Sequence, residues 1–149
     1  MIHHQRTHVI NAKPEAVWAV LSRYMHIDEF APQVTKVEAL TAEQGGIGAK
    51  RRCHFKDGNS MAEVVTAWDE GRRYRVRLSE TQPMPLKEGE AEIAIRPEGA
   101  GQTHVTWSMD YRVKYGPIGW LMGQTLMKMM ISKILDANLK GLAERAATQ

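Results

Sequence analysis

The 149-residue chain has few of the features that mark disulfide-rich, membrane-spanning or nucleic-acid-binding proteins. Its single cysteine, Cys53, excludes an internal disulfide and a cysteine-based zinc site. It has no run of about 18 apolar residues, so no transmembrane segment is predicted. Its first five residues contain no apolar stretch, so no signal peptide is predicted. The net charge of +3 is too small an excess to indicate nucleic acid. These absences favour a cytoplasmic protein.

The motifs of several catalytic classes are also missing. The six histidines include no His-x-x-x-His pair on a predicted helix, so we predict no metal and no cofactor. Cys53 and His54 are neighbours on a predicted strand and point to opposite faces, so His54 cannot activate the thiol. No nucleophile elbow and no phosphate-binding glycine loop before a helix is present. The sequence therefore favours a binding protein, or an enzyme that uses only acid–base groups.

The composition is that of a globular domain. Hydrophobic residues make up 43% and charged residues 25% of the chain, values that are usual for a protein with one buried core. A chain of this length is expected to bury such a core without disulfides. We find no repeat, linker or low-complexity segment, and we predict one domain over residues 1–149.

The strongest pattern in the chain is a strand over residues 103–113. Val105, Trp107, Met109, Tyr111 and Val113 alternate with polar residues, which is typical of a sheet with one buried face. Six further strands are predicted at residues 5–11, 34–41, 49–55, 60–68, 73–79 and 91–95. Two short helices follow the first strand, residues 81–89 form a loop, and one long helix runs from residue 116 to about 147. Tight turns join most strands, so the sheet is predicted to be antiparallel.

Several short motifs occur in an order that resembles a known superfamily. They are Pro14-Glu15-Ala16-Val17-Trp18, Asp28-Glu29-Phe30-Ala31-Pro32, Gly46-Ile47-Gly48-Ala49-Lys50-Arg51, Glu63, Asp69-Glu70 and Gly116-Pro117. The whole chain resembles the START-like superfamily (SRPBCC proteins), and within it the polyketide cyclase/dehydrase and lipid-transport group. Phe30 departs from the tryptophan expected before this proline, which we expect to change packing only.

The resemblance implies an α+β helix-grip fold like that of the birch-pollen allergen family. In this fold a seven-stranded curved antiparallel sheet wraps around a long C-terminal helix, with two short helices between strands 1 and 2. Relatives include ligand carriers, cyclases, dehydratases, quinone-binding factors and hormone sensors. The resemblance therefore implies a cavity for a hydrophobic ligand but does not select between binding, lipid transport and catalysis.

The long helix is amphipathic in its second half. One face carries Met127, Ile131, Ile134, Leu135, Asn138 and Leu142, and the opposite face carries charged residues. Asn138 stands within the apolar face and needs polar partners there. It either bonds a neighbouring strand or a buried water, or it orients a polar group of a ligand.

The first half of this helix is apolar on nearly all sides. Residues from Trp120 to Met130 include four methionines, beginning with Met122. One interpretation is that the predicted loop at 81–89 and the short helices cover them. The alternatives are a ligand portal, a homodimer contact, or peripheral contact with a membrane.

Arg51 and Glu63 form a candidate ion pair on neighbouring strands. A hairpin through Asp57-Gly58 pairs residues whose numbers sum to about 115, which places Arg52 opposite Glu63 and Arg51 diagonal to it. The pair is then either exposed on the sheet surface, or buried where it can polarise a ligand carbonyl.

These patterns predict a cavity that binds a small hydrophobic molecule such as a lipid, quinone or polyketide-like aromatic. The alternative is a cyclase or dehydratase that acts in the same cavity, with Glu63 and Tyr111 as acid–base groups. The predicted lining residues are Arg51, Glu63, Tyr74, Val76, Leu78, Trp107, Met109, Tyr111, Met127, Ile131, Ile134 and Asn138.

Overall fold

The computed structural model describes residues 2–82, 86–114 and 116–148, and of Gln82, Met122 and Gly123 only the backbone. The strands are β1 (Ile2–Ile10), β2 (Val34–Ala39), β3 (Lys50–Phe55), β4 (Ser60–Asp69), β5 (Arg73–Gln82), β6 (Leu86–Pro97) and β7 (Thr103–Val113). The helices are α1 (Pro14–Leu21), a 3-10 helix (Tyr24–Glu29), α2 (Gly116–Met122), a π-helical turn (Gly123–Met127) and α3 (Lys128–Ala146).

The strands form one curved antiparallel sheet in the order β1-β7-β6-β5-β4-β3-β2. Strands β2 to β7 pair in sequence order, and β1 pairs with β7 along its whole length. Helix α3 packs against α1 and against β1 and β7. This is the predicted helix-grip α+β fold, and the prediction is confirmed.

Strand β7 shows why the sequence folds this way. Its alternate residues Val105, Trp107 and Tyr111 are buried, while His104 and Thr106 between them are half-buried on the other face. The strand lies between β1 and β6, so its backbone groups are paired on both sides. The alternation places an apolar surface opposite α3.

A cluster of aromatic residues joins α1 to the sheet. The rings of Trp68 and Tyr74 stack at 5.3 Å, and Trp18 packs edge-on against Trp68 at 5.5 Å. Both indoles donate hydrogen bonds to the Glu70 carboxylate, at 2.8 Å from Trp18 and 2.6 Å from Trp68. Glu70, in the predicted turn motif, therefore fixes the position of α1 relative to the β4–β5 hairpin.

Helix α3 approaches the chain beyond the 3-10 helix closely. A Cβ atom on Gly141 would lie 1.9 Å from the carbonyl oxygen of Phe30, so only glycine fits at this contact. Helix α2 makes a similar approach to the end of β7, where a Cβ atom on Gly119 would lie 1.6 Å from the Lys114 carbonyl oxygen. The two glycines set how α2 and α3 lie on the rest of the chain.

Two predictions of the element boundaries are wrong. Residues 81–89 are not one loop, because β5 continues to Gln82 and β6 begins at Leu86; Pro83 to Pro85 lie outside the described residues. The end of β5 pairs with β4, with Gln82 opposite Ser60, and the start of β6 pairs with β7, with Leu86 opposite Val113. The predicted long helix is in place, but a π-helical turn at Gly123–Met127 interrupts it.

In the described ranges, no helix is long and apolar enough to cross a bilayer.

Candidate functional site

The β3–β4 hairpin sets the polar centre of the candidate site. Its loop contains three residues rather than two, because Phe55 and Asn59 close it and Gly58 adopts a φ of +88°. The register is therefore shifted by one from the predicted register, and Arg51 pairs directly with Glu63 while Arg52 pairs with Ala62. The predicted pairing of Arg52 with Glu63 is wrong.

The Arg51–Glu63 pair is buried, so the interpretation as an exposed surface pair is also wrong. Arg51 is 1% exposed and Glu63 is 8% exposed. The Arg51 Nη2 atom donates a hydrogen bond to Glu63 Oε2 at 2.6 Å, and its Nη1 atom donates to the backbone carbonyl of Tyr24. The guanidinium carbon lies 3.8 Å from the centre of the Tyr24 ring. Charge, hydrogen bonds and a ring face thus hold the cation in an apolar interior.

The titratable groups around this pair keep their protons. Burial raises the pKa of Tyr74 to about 12 and that of Cys53 to about 12, so both are neutral near pH 7. Burial also raises the pKa of Tyr24. Burial opposes the charge of Arg51, but the Glu63 carboxylate holds the pKa of Arg51 well above its ordinary value. Cys53 is therefore a buried thiol and not a nucleophile.

The pair lies at the wall of a cavity of about 90 Å³, which we call the inner chamber. Polar groups at its wall come from Arg51, Glu63, Tyr74 and Asn138. Its apolar lining comes from the sheet, the 3-10 helix and α3: Ile27, Val34, Cys53, Phe55, Met61, Val76, Leu78, Ala91, Ile93, Trp107, Met109, Ile134 and Leu135. This is the space that the helix-grip fold leaves between the sheet and its long helix.

A second cavity of about 420 Å³, the outer chamber, adjoins the first. Five residues line both cavities and form the boundary between them: Phe55, Met61, Met109, Ile134 and Leu135. The outer chamber is also lined by Asp57 and Lys133, which are exposed, so it reaches the surface between the β3–β4 hairpin and α3. Together the chambers lead from the surface to the buried ion pair.

Two buried polar side-chain atoms have no hydrogen-bond partner in the described part of the chain, namely Arg51 Nε and Asn138 Oδ1. Both residues line the inner chamber. Of the two interpretations of Asn138, a bond from its carbonyl oxygen to a neighbouring strand is absent within the described residues. Buried polar groups are nearly always paired, so two unpaired atoms at one cavity need an explanation.

The predicted lining residues fall into three groups. The inner chamber is lined by Arg51, Glu63, Tyr74, Val76, Leu78, Trp107, Met109, Ile134 and Asn138. Ile131 lines only the outer chamber. Met127 is buried without lining either chamber, and Tyr111 lines a separate pocket beside α2. Glu63 and Tyr111 thus do not share a chamber.

Sequence reasoning missed Tyr24, whose ring and carbonyl hold Arg51. Tyr24 lies in the 3-10 helix, where no helical periodicity of apolar residues points to its contacts. Its hydroxyl donates a hydrogen bond to the Glu63 carbonyl at 2.9 Å, so it contacts both members of the pair. Arg51 itself offered a signal, because a buried guanidinium has more N–H donors than one carboxylate can pair and therefore needs acceptors besides Glu63.

The first half of the C-terminal helical region is exposed. Trp120 is 56% exposed, and Ile118, Leu121, Leu126 and Met129 are exposed to between 60% and 77%. The interpretation that the 81–89 segment covers these residues is wrong. The side chain of Met122 lies outside the described part of the structure.

No group of three or more His, Cys, Asp or Glu side chains is placed to hold a metal ion within the described ranges.

Comparison with known proteins agrees with the fold. Residues 1–147 match the family described as polyketide cyclase/dehydrase and lipid transport. The structure resembles the Zhui aromatase/cyclase from Streptomyces sp. R1128, with a TM-score of 0.83, 19% identity and coverage of 98% of this chain and 93% of that one. It also resembles a START superfamily protein from Mycobacterium smegmatis, with a TM-score of 0.79, 16% identity and coverage of 98% and 97%.

A protein from Thermus thermophilus is similar at a TM-score of 0.79 and 22% identity, covering 99% of this chain and 98% of that one. No curated protein matches the chain in sequence. Because the family match spans nearly the whole chain, the chain belongs to the polyketide cyclase/dehydrase and lipid transport family. The description of this family names both polyketide cyclase/dehydrase activity and lipid transport, and the solved structures, at 16–22% identity, show the fold.

Proposed function

We propose that this protein binds a small, mainly apolar molecule whose polar end occupies the inner chamber. The observation that carries the proposal is that the two unpartnered buried polar atoms, Arg51 Nε and Asn138 Oδ1, belong to residues that line the same chamber. An unsatisfied buried polar group costs about 1–3 kcal/mol. A ligand that pairs both atoms recovers this cost, which is a reason for keeping them unpaired in the free protein.

The chemistry of the two atoms limits the ligand. The Arg51 Nε–H group is a donor and requires an acceptor, such as a carbonyl or phenol oxygen. The Asn138 Oδ1 atom is an acceptor and requires a hydroxyl or N–H donor. The remaining wall is apolar, apart from the neutral Tyr74 and the paired Glu63. A ketone or quinone that also carries a hydroxyl group satisfies these requirements.

The sizes of the chambers suggest how such a ligand lies. Ligand pockets usually have volumes of about 300–1,000 Å³, so the inner chamber of about 90 Å³ is too small for a whole ligand. The outer chamber of about 420 Å³ is within that range. We infer that the polar end reaches the inner chamber while the apolar body fills the outer one. A lipid, a quinone with a tail, or a polyketide-like aromatic has this form.

A second candidate is a cyclase or dehydratase, which the buried Glu63 favours. Its carboxylate lines the same chamber as the Arg51 guanidinium. In such a reaction Arg51 polarises a ligand carbonyl and Glu63 transfers a proton at the neighbouring carbon. Tyr111 takes no part, since it lines neither chamber. The enzyme proposal therefore requires that Glu63→Gln abolish turnover while ligand binding persists.

The variant Asn138→Leu tests the binding proposal, because leucine has the same number and branching of side-chain heavy atoms as asparagine and lacks the acceptor. If the acceptor is kept for a ligand, the ligand-free variant is more stable than wild type by about 1–3 kcal/mol. The same variant loses the small molecule that native mass spectrometry, followed by organic extraction, detects in wild type. Lys140→Ala, an exposed change on the same helix, is the matched control and retains that molecule.

A destabilised Asn138→Leu variant contradicts the proposal, because it means that Asn138 has a structural partner. Retention of the extracted molecule by Asn138→Leu at wild-type stoichiometry also contradicts it.

A further inference from the structure

The segment from residue 111 to residue 135 has an unusual charge composition. It contains Arg112, Lys114, Lys128 and Lys133 and no acidic residue. The whole chain has a net charge of only +3, so the residues outside this segment carry one more acidic than basic side chain. The positive charge of the protein is therefore concentrated in one stretch of 25 residues, which includes α2, the π-helical turn and the start of α3.

The same segment carries most of the exposed large apolar side chains in the described ranges. Six of them lie between residues 118 and 130: Ile118, Trp120, Leu121, Leu126, Met129 and Met130. The others are Val9 in β1, and Leu40 and Ile47 in the loop between β2 and β3. We call residues 112–114 and 116–133 the docking face. Exposed apolar side chains including a tryptophan, with lysines among them, are typical of segments that lie in a membrane interface.

A pocket beside α2 combines the two features. Trp120 lines this pocket of about 340 Å³ together with Lys87, Arg112 and Lys114. Arg112 is partly balanced by Glu88, whose carboxylate lies 3.4 Å from the guanidinium in an exposed pair. Apolar side chains that are next to lysines offer contacts to both the acyl chains and the phosphates of a lipid surface.

The docking face continues into the entrance of the cavity. Met130 belongs to the docking face and lines the outer chamber, as do Ile131 and Lys133. A surface on which residues 116–133 rest therefore lies next to the opening through which a ligand reaches the inner chamber. This arrangement allows an apolar ligand to pass between the surface and the protein with little exposure to water.

We propose that the docking face binds the surface of an anionic lipid bilayer, with Trp120 and its apolar neighbours inserted among the lipids and the lysines at the phosphates. A second copy of the chain is a poorer occupant. A two-fold dimer brings the same patch of both copies together, so it would oppose two faces that each carry four basic residues and no acidic one, with Arg112 partly balanced by Glu88 of β6. The use of the docking for ligand exchange rests on the proposed binding function, but the docking itself does not.

The experiment is co-sedimentation of the full chain with vesicles of phosphatidylcholine alone, and with vesicles that also contain phosphatidylserine. We expect binding to the anionic vesicles that weakens as salt is raised. Lys114→Glu and Lys133→Glu are each expected to weaken it at least about fivefold, since a basic residue near an anionic surface contributes about that factor. Trp120→Ser is expected to weaken it about tenfold through lost apolar contact.

Two control variants are matched to these changes at distant exposed sites. Arg77→Glu reverses a charge on the outer face of β5, and Ile47→Ser removes an exposed apolar side chain from the loop before β3. Both are expected to bind vesicles as wild type does. Asn138→Leu is also expected to bind them normally, so failure of the cavity proposal does not affect this measurement.

Absence of binding to anionic vesicles overturns the inference. So does an equal loss in Arg77→Glu, because the attraction is then a property of the net charge and not of the docking face. Sedimentation equilibrium gives the third outcome: a dimer that Met129→Lys dissociates means that the face contacts a second copy, and this also overturns the inference.

Discussion

Replacing Glu63 with methionine is expected to destabilise the protein strongly, because it leaves the Arg51 cation buried without its counter-charge. Arg51 is 1% exposed and its Nη2 atom lies 2.6 Å from the carboxylate. The Tyr24 carbonyl and ring remain in the variant, but neither carries a charge that neutralises the guanidinium. Removing one partner of a buried pair typically costs about 3–5 kcal/mol.

That loss is large compared with the whole stability of a domain, about 5–15 kcal/mol. For a chain of this size it corresponds to a fall in Tm of about 6–20 °C. Arg51→Met is expected to be destabilising for the same reason, because it leaves the carboxylate buried. The double variant Arg51→Met/Glu63→Met removes both charges and is expected to be near wild type or more stable.

Urea unfolding followed by circular dichroism measures all four proteins, with a constant slope as the check that they unfold in the same way. The exposed pair Arg112–Glu88, at 3.4 Å across β6 and β7, is the matched control and is expected to give a coupling of at most about 1 kcal/mol. Additive losses in the Arg51 and Glu63 variants would refute the reasoning, because they would mean that the two charges are solvated independently.

Two further predictions concern α3 and its contact with β1. Gly141→Ala is expected to lower the free energy of unfolding by about 1–3 kcal/mol, because its Cβ would meet the Phe30 carbonyl oxygen. Lys140→Ala is the exposed control, and equal stability of the two variants would contradict this packing. Burial and the positive charge of Lys128 lower the pKa of His4 from its ordinary value of 6.5. As pH falls, His4 is therefore protonated in the unfolded chain at a higher pH than in the folded chain. Stability is therefore expected to fall as pH drops from 6.5 towards the lower folded pKa, more steeply in wild type than in His4→Gln, and identical slopes would contradict the shift.

The fold was accessible from sequence because its strongest signals are local. Alternation in β7 and the amphipathic half of α3 each follow from a period that the side chains repeat several times. The start of α1 was accessible for a similar reason, since Pro14 is favoured in a first helical turn. These elements define a sheet that packs on one helix, and the remaining strands follow from turn residues between them.

The polar centre of the site was not accessible in the same way. Whether Arg51 faces Glu63 or lies diagonal to it depends on one extra residue in the Asp57-Gly58 turn, and both turn lengths accept that dipeptide. Whether the pair is buried depends on Tyr24, which packs on it from a distant part of the chain. The exposure of Trp120 likewise depends on which segments reach α2, and periodicity does not contain that information.

The π-helical turn at Gly123–Met127 has a consequence for how the C-terminal region presents its two halves. A π-helical turn holds one residue more than an α-helical turn of the same span, so the residues before it are rotated about the helix axis by about 100° relative to an unbroken helix. The same sequence wound as an unbroken α-helix would turn α2 by that angle, whereas deletion of one residue in the turn would restore the ordinary winding and leave α2 in place. The sides of α2 and α3 that face outward are thus aligned by a single-residue insertion, and a change in the winding of these five residues alone alters that alignment.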